Sequence, residues 1–116
     1  MQLRILSQGV ALESETRRAV ERQVRLVVGR FAAIVARVQI TMGPSRDDPE
    51  HGAHRCRIRV DLGHGEILSF VADDPDPVAA AAGAAWRIQR RLRQRPDRAR
   101  RQPTDALNTE DLKADG

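Results

Sequence analysis

The 116-residue sequence predicts an α+β domain, four strands and two helices in the order β-α-β-β-β-α. Three observations lead there. Four short stretches carry apolar residues at every second position, the period of a half-buried strand. Two longer stretches carry them at spacings of three and four, the period of an amphipathic helix. The second faces of the strands are polar, so both helices are expected on one side of a four-stranded sheet. Aromatic residues make up only 3% of the chain, so the core must be built from Val, Ile, Leu and Ala, and the layers should be thin.

Taken in order, "QLRIL" places Leu3 and Ile5 on one face and Gln2 and Arg4 on the other, and "SQG" ends it. In "ESETRRAVERQVRLVVGRF", Thr16, Val20, Val24, Val27 and Phe31 form one helical face, and Arg17, Arg18, Glu21, Arg22 and Arg25 lie mostly off it. Glu13 or Ser14 opens this helix with an oxygen near the free N–H groups of its first turn. Gly29 weakens its end. "IVARVQITM" alternates again, with Ala36, Val38, Ile40 and Met42 inward and Arg37, Gln39 and Thr41 outward. "GPSRDDPEHGA", residues 43–53, is a polar loop. "HRCRIRVDL" puts Cys56, Ile58, Val60 and Leu62 on one face and Arg55, Arg57, Arg59 and Asp61 on the other. After a "GHG" turn, "EILSFVA" returns as a hairpin partner whose phase the sequence leaves open. "DDPDP" announces the last helix, with Asp76 as N-cap and Pro77 at its first position, where a missing N–H costs nothing. Val78, Ala81, Ala82, Ala85, Ile88 and Leu92 make its buried stripe, and Arg87, Arg90, Arg91 and Gln94 lie opposite. Pro96 stops it, so residues 1–96 form the domain and 97–116 a polar, disordered tail.

Charge is concentrated rather than spread. Residues 1–86 hold 11 basic and 11 acidic side chains, residues 87–101 hold 8 and 1, and residues 102–116 hold 1 and 4. "WRIQRRLRQRPDRARR" is therefore a cationic rod, the footprint of a polyanion partner. No acid stands between Trp86 and Pro96, whereas a helix built only for stability would offer acid–base pairs four residues apart. Arg55, Arg57 and Arg59 repeat along one strand, and the repulsion in such a row calls for nearby acids or a polyanion. Trp86, at the margin of the buried stripe, is expected to pack against the first helix.

Other chemistries find little support. The acids sit in turns and caps, no serine has a nucleophile context, and no glycine-rich phosphate loop precedes a helix, so an enzyme is not expected. His51, His54, Cys56 and His64 match no common zinc spacing, and Cys56 falls on an apolar face as a small core residue. Neither a metal nor another cofactor is expected, nor a small-molecule substrate. One cysteine precludes an internal disulfide, and no stretch suits a signal peptide or a membrane span. The chain thus reads as soluble and cytoplasmic.

The element order, the "HRCRIRVDLGHGEILSF" hairpin and the arginine-rich last helix together resemble the ribosome hibernation-promoting factor / protein Y family, also called sigma-54 modulation or S30EA ribosomal proteins. The resemblance runs from Met1 to about Arg95 and is carried by "MQLRILSQG", Arg17, Val20 and Val24, "CRIRVDL" and the run Arg87 to Leu92. It implies a fold akin to double-stranded-RNA-binding domains. It further implies a stress-associated protein that lodges in the small ribosomal subunit, over the tRNA and mRNA channel, grips 16S-type rRNA and inhibits translation. Arg87, Arg90 and Arg91 match the family's basic closing-helix positions, and Arg17 a basic position in the first helix. Arg22, Arg25, Arg55, Arg57 and Arg59 join them on charge alone. Three features depart from the family: Val78 stands where an aromatic is common, Ala81 where a bulkier aliphatic is, and the loop at 43–53 is acidic. Ending at Gly116 without a second domain, the chain looks like the short form, whose tail can lie along the mRNA path. The alternative those departures leave is a protein-interaction or regulatory module that kept the fold and lost the ribosome.

Overall fold

The computed structural model describes residues 1–9, 12–47 and 52–95. Four strands, β1 (Gln2–Ser7), β2 (Arg37–Pro44), β3 (His54–Asp61) and β4 (Ile67–Asp74), form one sheet in sequence order. Helix α1 (Ser14–Val28) connects β1 to β2, and α2 (Pro77–Gln94) follows β4. β1 runs parallel to β2, while β2–β3 and β3–β4 are antiparallel. The sheet is therefore mixed. Parallel neighbours need a long crossover, and α1 supplies it.

The expected alternation is realised within the strands, but Ala36, expected inward, is exposed: it lies just before β2 begins at Arg37, and Val35 is the residue buried there. Val38, Ile40 and Met42 of β2 and Cys56, Ile58 and Val60 of β3 are buried on the inner face, where both helices lie. From α1, Val20, Val24, Val27 and Val28 complete the core; from α2 come Ala80, Ala81, Ala84, Ala85, Ile88 and Leu92. Burying each such Val, Ile or Leu stabilises the fold by roughly 1.5–3 kcal/mol. The phase of β4 is now settled. Leu68, Phe70 and Ala72 pair with Val60, Ile58 and Cys56 and face inward, so Ile67, Ser69, Val71 and Asp73 face outward.

The stripe on α2 is turned slightly from the expected one. Ala80, Ala84 and Gln89 are buried, and Ala82 is only half-buried. Alanines occupy adjoining positions around the helix, so their spacing alone does not fix which of them face the sheet. A Cβ added to Gly83 would stand 3.2 Å from the Cβ of Ala72, so α2 lies very close to β4.

The ends of the elements follow their local chemistry. Glu13 is the N-cap position of α1, but its side chain makes no capping bond. A short 3-10 turn, Gly29–Phe31, follows the helix at the glycine expected to weaken it. At α2, Asp76 Oδ1 accepts from the Val78 N–H at 3.1 Å, with Pro77 behind it as expected. Arg95, which precedes Pro96, is extended (ψ 140°), as the residue before a proline prefers. Between β3 and β4, Gly63, His64 and Gly65 all have positive φ, 80°, 55° and 82°. The two glycines adopt this without strain, and the Asp61 carboxylate accepts from the Gly63 N–H at 2.8 Å to fix the turn.

Candidate nucleic-acid interface

The helices cover one side of the sheet and leave the other open. Register divides the open side into rows across the strands. One row reads Gln2, Arg37, Asp61, Ile67; the next Arg4, Gln39, Arg59, Ser69; the next Leu6, Thr41, Arg57, Val71; the last includes Gly43, Arg55 and Asp73. The outer rows thus set an arginine opposite an acid, and the two middle rows contain no acid. Arg46 joins Arg55, Arg57 and Arg59 around an open groove that Gln8, Gln39, Thr41 and Ser69 also line.

The three arginines of β3 are not equivalent. Arg55 is held by Asp73 through Nε at 2.9 Å and Nη2 at 3.0 Å, and by Asp47 at 2.5 Å. Ser45 is buried beside them, and its hydroxyl donates to Asp73 Oδ2 at 2.9 Å. The hydrogen bond to Asp73 is the main reason the Arg55 guanidinium is held even more firmly protonated than usual. In return, the hydrogen bond from Arg55 lowers the Asp73 carboxyl below its ordinary value. Arg57 and Arg59 have no carboxylate partner among the described residues, nor do Arg4 and Arg46. Uncompensated guanidinium groups flanked by neutral hydrogen-bonding side chains suit a polyanion with phosphates and hydroxyls.

The helical candidates divide in the same way. Arg87 Nη1 donates to the Val71 carbonyl of edge strand β4 at 3.0 Å, and Arg17 Nη1 donates to the Ile5 carbonyl of the opposite edge, β1, at 3.0 Å. Two of the four residues matched to the family, Arg17 and Arg87, therefore clamp a helix to a sheet edge. Arg95 pairs with Glu66 at the β3–β4 turn. Arg25 pairs with Glu21 at 3.0 Å on α1. Arg22, Arg90, Arg91 and Arg93 are exposed and have no acid partner among the described residues.

The candidates fall in two separate groups. Arg55, Arg57 and Arg59 share the open sheet face, while Arg22, Arg25, Arg90 and Arg91 belong to the helical layer behind it. Arg4 and Arg46 were not singled out from the sequence. Arg4 was legible in the alternation of "QLRIL", but Arg46 sits in a loop whose position no periodicity marks. Trp86, at the margin of the buried stripe, leaves 52% of its surface to solvent. Cys56 is fully buried on the inner face, and burial pushes its thiol up to about 12, the state of an inert core residue. Between the helices the Gln89 amide donates to the Val27 carbonyl at 3.3 Å, and its buried Oε1 has no partner among the described residues. His51, the acidic core of the 43–53 loop and the tail at 97–116 lie outside the described residues.

Fold and surface together define a small α+β domain whose uncovered sheet face carries unneutralised positive charge. The chain belongs to the family of Sigma 54 modulation protein / S30EA ribosomal proteins, whose model matches residues 3–100. That family is one of ribosome-associated factors. The fold is similar to the N-terminal domain of Protein Y from Thermus thermophilus, with a TM-score of 0.64 at 18% identity, covering 81% of this chain and 98% of that one. It is equally similar to a ribosomal subunit interface protein from Coxiella burnetii, with a TM-score of 0.66 at 14% identity, covering 81% of this chain and 96% of that one. No curated protein matches the sequence.

Proposed function

We propose that this protein binds the small ribosomal subunit over the tRNA and mRNA channel and inhibits translation, as a stress or hibernation factor of the cytoplasm. The family match across residues 3–100 carries this reading. Similarity to a ribosomal subunit interface protein from Coxiella burnetii supports a ribosomal partner. The arginines supply the means. Arg57, Arg59, Arg4 and Arg46 on the open sheet face meet 16S-type rRNA phosphates, and Gln39, Thr41 and Ser69 offer hydrogen bonds to phosphate or ribose oxygens. On the helical side Arg90, Arg91 and Arg22 do the same. Arg17, Arg87, Arg25 and Arg55 act mainly by holding the fold and framing the groove. Inhibition of this kind needs no catalysis and no cofactor: a rigid body that occupies the channel excludes tRNA and mRNA.

Co-sedimentation with purified small subunits across a salt series tests the reading. Saturable binding near one per subunit is expected, weakening steeply with salt as phosphate counterions are released, by a slope of roughly 0.7–0.9 per phosphate contact. Absence of binding at low salt would reject it in favour of a protein-interaction module that kept the fold and lost the ribosome.

A further inference from the structure

We propose that Trp86, with Arg90 and Arg93 beside it, is a platform on which an unpaired RNA base stacks. Trp86 is the sole tryptophan of the chain, and it is 52% exposed on a helix whose other face is buried. Its indole N–H has no acceptor among the described residues. Arg90 and Arg93 follow it by four and seven residues and so share its face of α2. Both are exposed, and neither has a carboxylate partner among the described residues.

The neighbouring helix extends the patch. α1 returns from β1 to the parallel strand β2, and α2 returns from β4, which runs the same way as β2, so the two helices are parallel. The Gln89–Val27 hydrogen bond sets their relative height and places Trp86 level with the turn between Arg22 and Leu26. Arg22 is exposed there, as is Leu26, at 67%. An apolar ring within a field of unpaired guanidinium groups has the two halves of a single-strand RNA site. The ring stacks a base and the arginines hold the phosphates beside it. Charge selects RNA over a neutral protein surface, and the ring selects an unstacked base over a duplex.

This surface lies on the side of the molecule opposite the open sheet face. RNA would then contact the domain from both sides, as a body wedged in a channel requires. The inference leans on the proposed function only for the source of the RNA, and its chemistry is testable with RNA alone.

Because the chain has one tryptophan and no tyrosine, its intrinsic fluorescence reports Trp86 directly. The full-length protein would be titrated with a twelve-nucleotide single-stranded RNA, with the same RNA annealed to its complement, and with polyphosphate. The single strand is expected to quench the emission, and polyphosphate to compete for binding without quenching. By anisotropy of labelled RNA, Trp86→Leu should bind the single strand about tenfold more weakly, the order expected for loss of one stacking aromatic. Trp86→Phe should retain most of the affinity, which separates a lost ring from a damaged fold. Equal quenching by duplex or polyphosphate, quenching by polyglutamate in place of RNA, or Trp86→Leu binding within twofold of the parent would overturn the platform. Failure of the parent to sediment with small subunits, with quenching by single-stranded RNA intact, would instead reject the ribosomal reading and leave the platform standing.

Discussion

The open sheet face and helix α2 are both rich in arginine, yet they hold their charge differently. Along α2 and its C-cap the arginines are clustered in sequence, and two of the five are already engaged: Arg87 with a β4 carbonyl and Arg95 with Glu66. On the sheet the arginines come from β1, β2, β3 and a loop, and their acids from distant segments, Asp47 and Asp73 for Arg55. Counting charge along the chain therefore overstates the free charge of the helix and understates that of the sheet. What a polyanion feels is the charge left after pairing.

The largest expected effect would break this comparison outright if it failed. Arg57→Glu together with Arg59→Glu should weaken small-subunit binding at least about a hundredfold, since each reversal sets like charge against phosphate. Arg90→Glu, Arg91→Glu and Arg93→Glu combined should weaken it by about tenfold. A greater loss from the helical set, measured in the same sedimentation assay, would move the main contact to α2.

A smaller effect separates clamping from contact. Arg87→Ala should lower stability by about 0.5–1 kcal/mol in urea unfolding, the net worth of one hydrogen bond, while subunit binding stays within twofold. Binding lost without any loss of stability would return Arg87 to the interface.

The smallest effect converts one region into the likeness of the other. Asp73→Asn releases Arg55 from its main partner, so affinity for polyanions should rise by about two- to threefold and the salt slope steepen by roughly one phosphate contact. The same variant has a signature in acid. With its carboxyl lowered in the folded state, Asp73 binds protons less readily there than in the unfolded chain. Its contribution is therefore complete above the ordinary aspartate value of 3.8 and is lost as pH falls through the lowered one. Stability of the parent should decline over that acid range, and the decline should be shallower in Asp73→Asn.

The elements were legible in the sequence because each has a period of its own. Val38, Ile40 and Met42 could point only one way once Gln39 and Thr41 pointed the other, and Asp76 with Pro77 left α2 one place to begin. Two things were not legible. The phase of β4 was hidden because Leu68, Phe70 and Ala72 alternate with Ile67 and Val71, which are also apolar; only pairing with β3 decided it. The division of the arginines was hidden because it depends on contacts between residues far apart, such as Arg55 with Asp73 and Arg17 with Ile5. The exposure of Trp86 was not legible either. At the margin of the buried stripe the helical period alone does not tell a half-covered ring from a buried one, and Trp86 keeps 52% of its surface exposed.

The clamps at the two sheet edges have a consequence for the protein in quantity. An outer strand with unused carbonyls is a template on which another chain can pair, and accumulation makes such pairing more frequent. Here a guanidinium already occupies the Ile5 carbonyl on one border and the Val71 carbonyl on the other. A second copy would have to displace a charged donor before it could add a strand, and would meet more positive charge in doing so. Strand addition is thereby opposed at one position on each border.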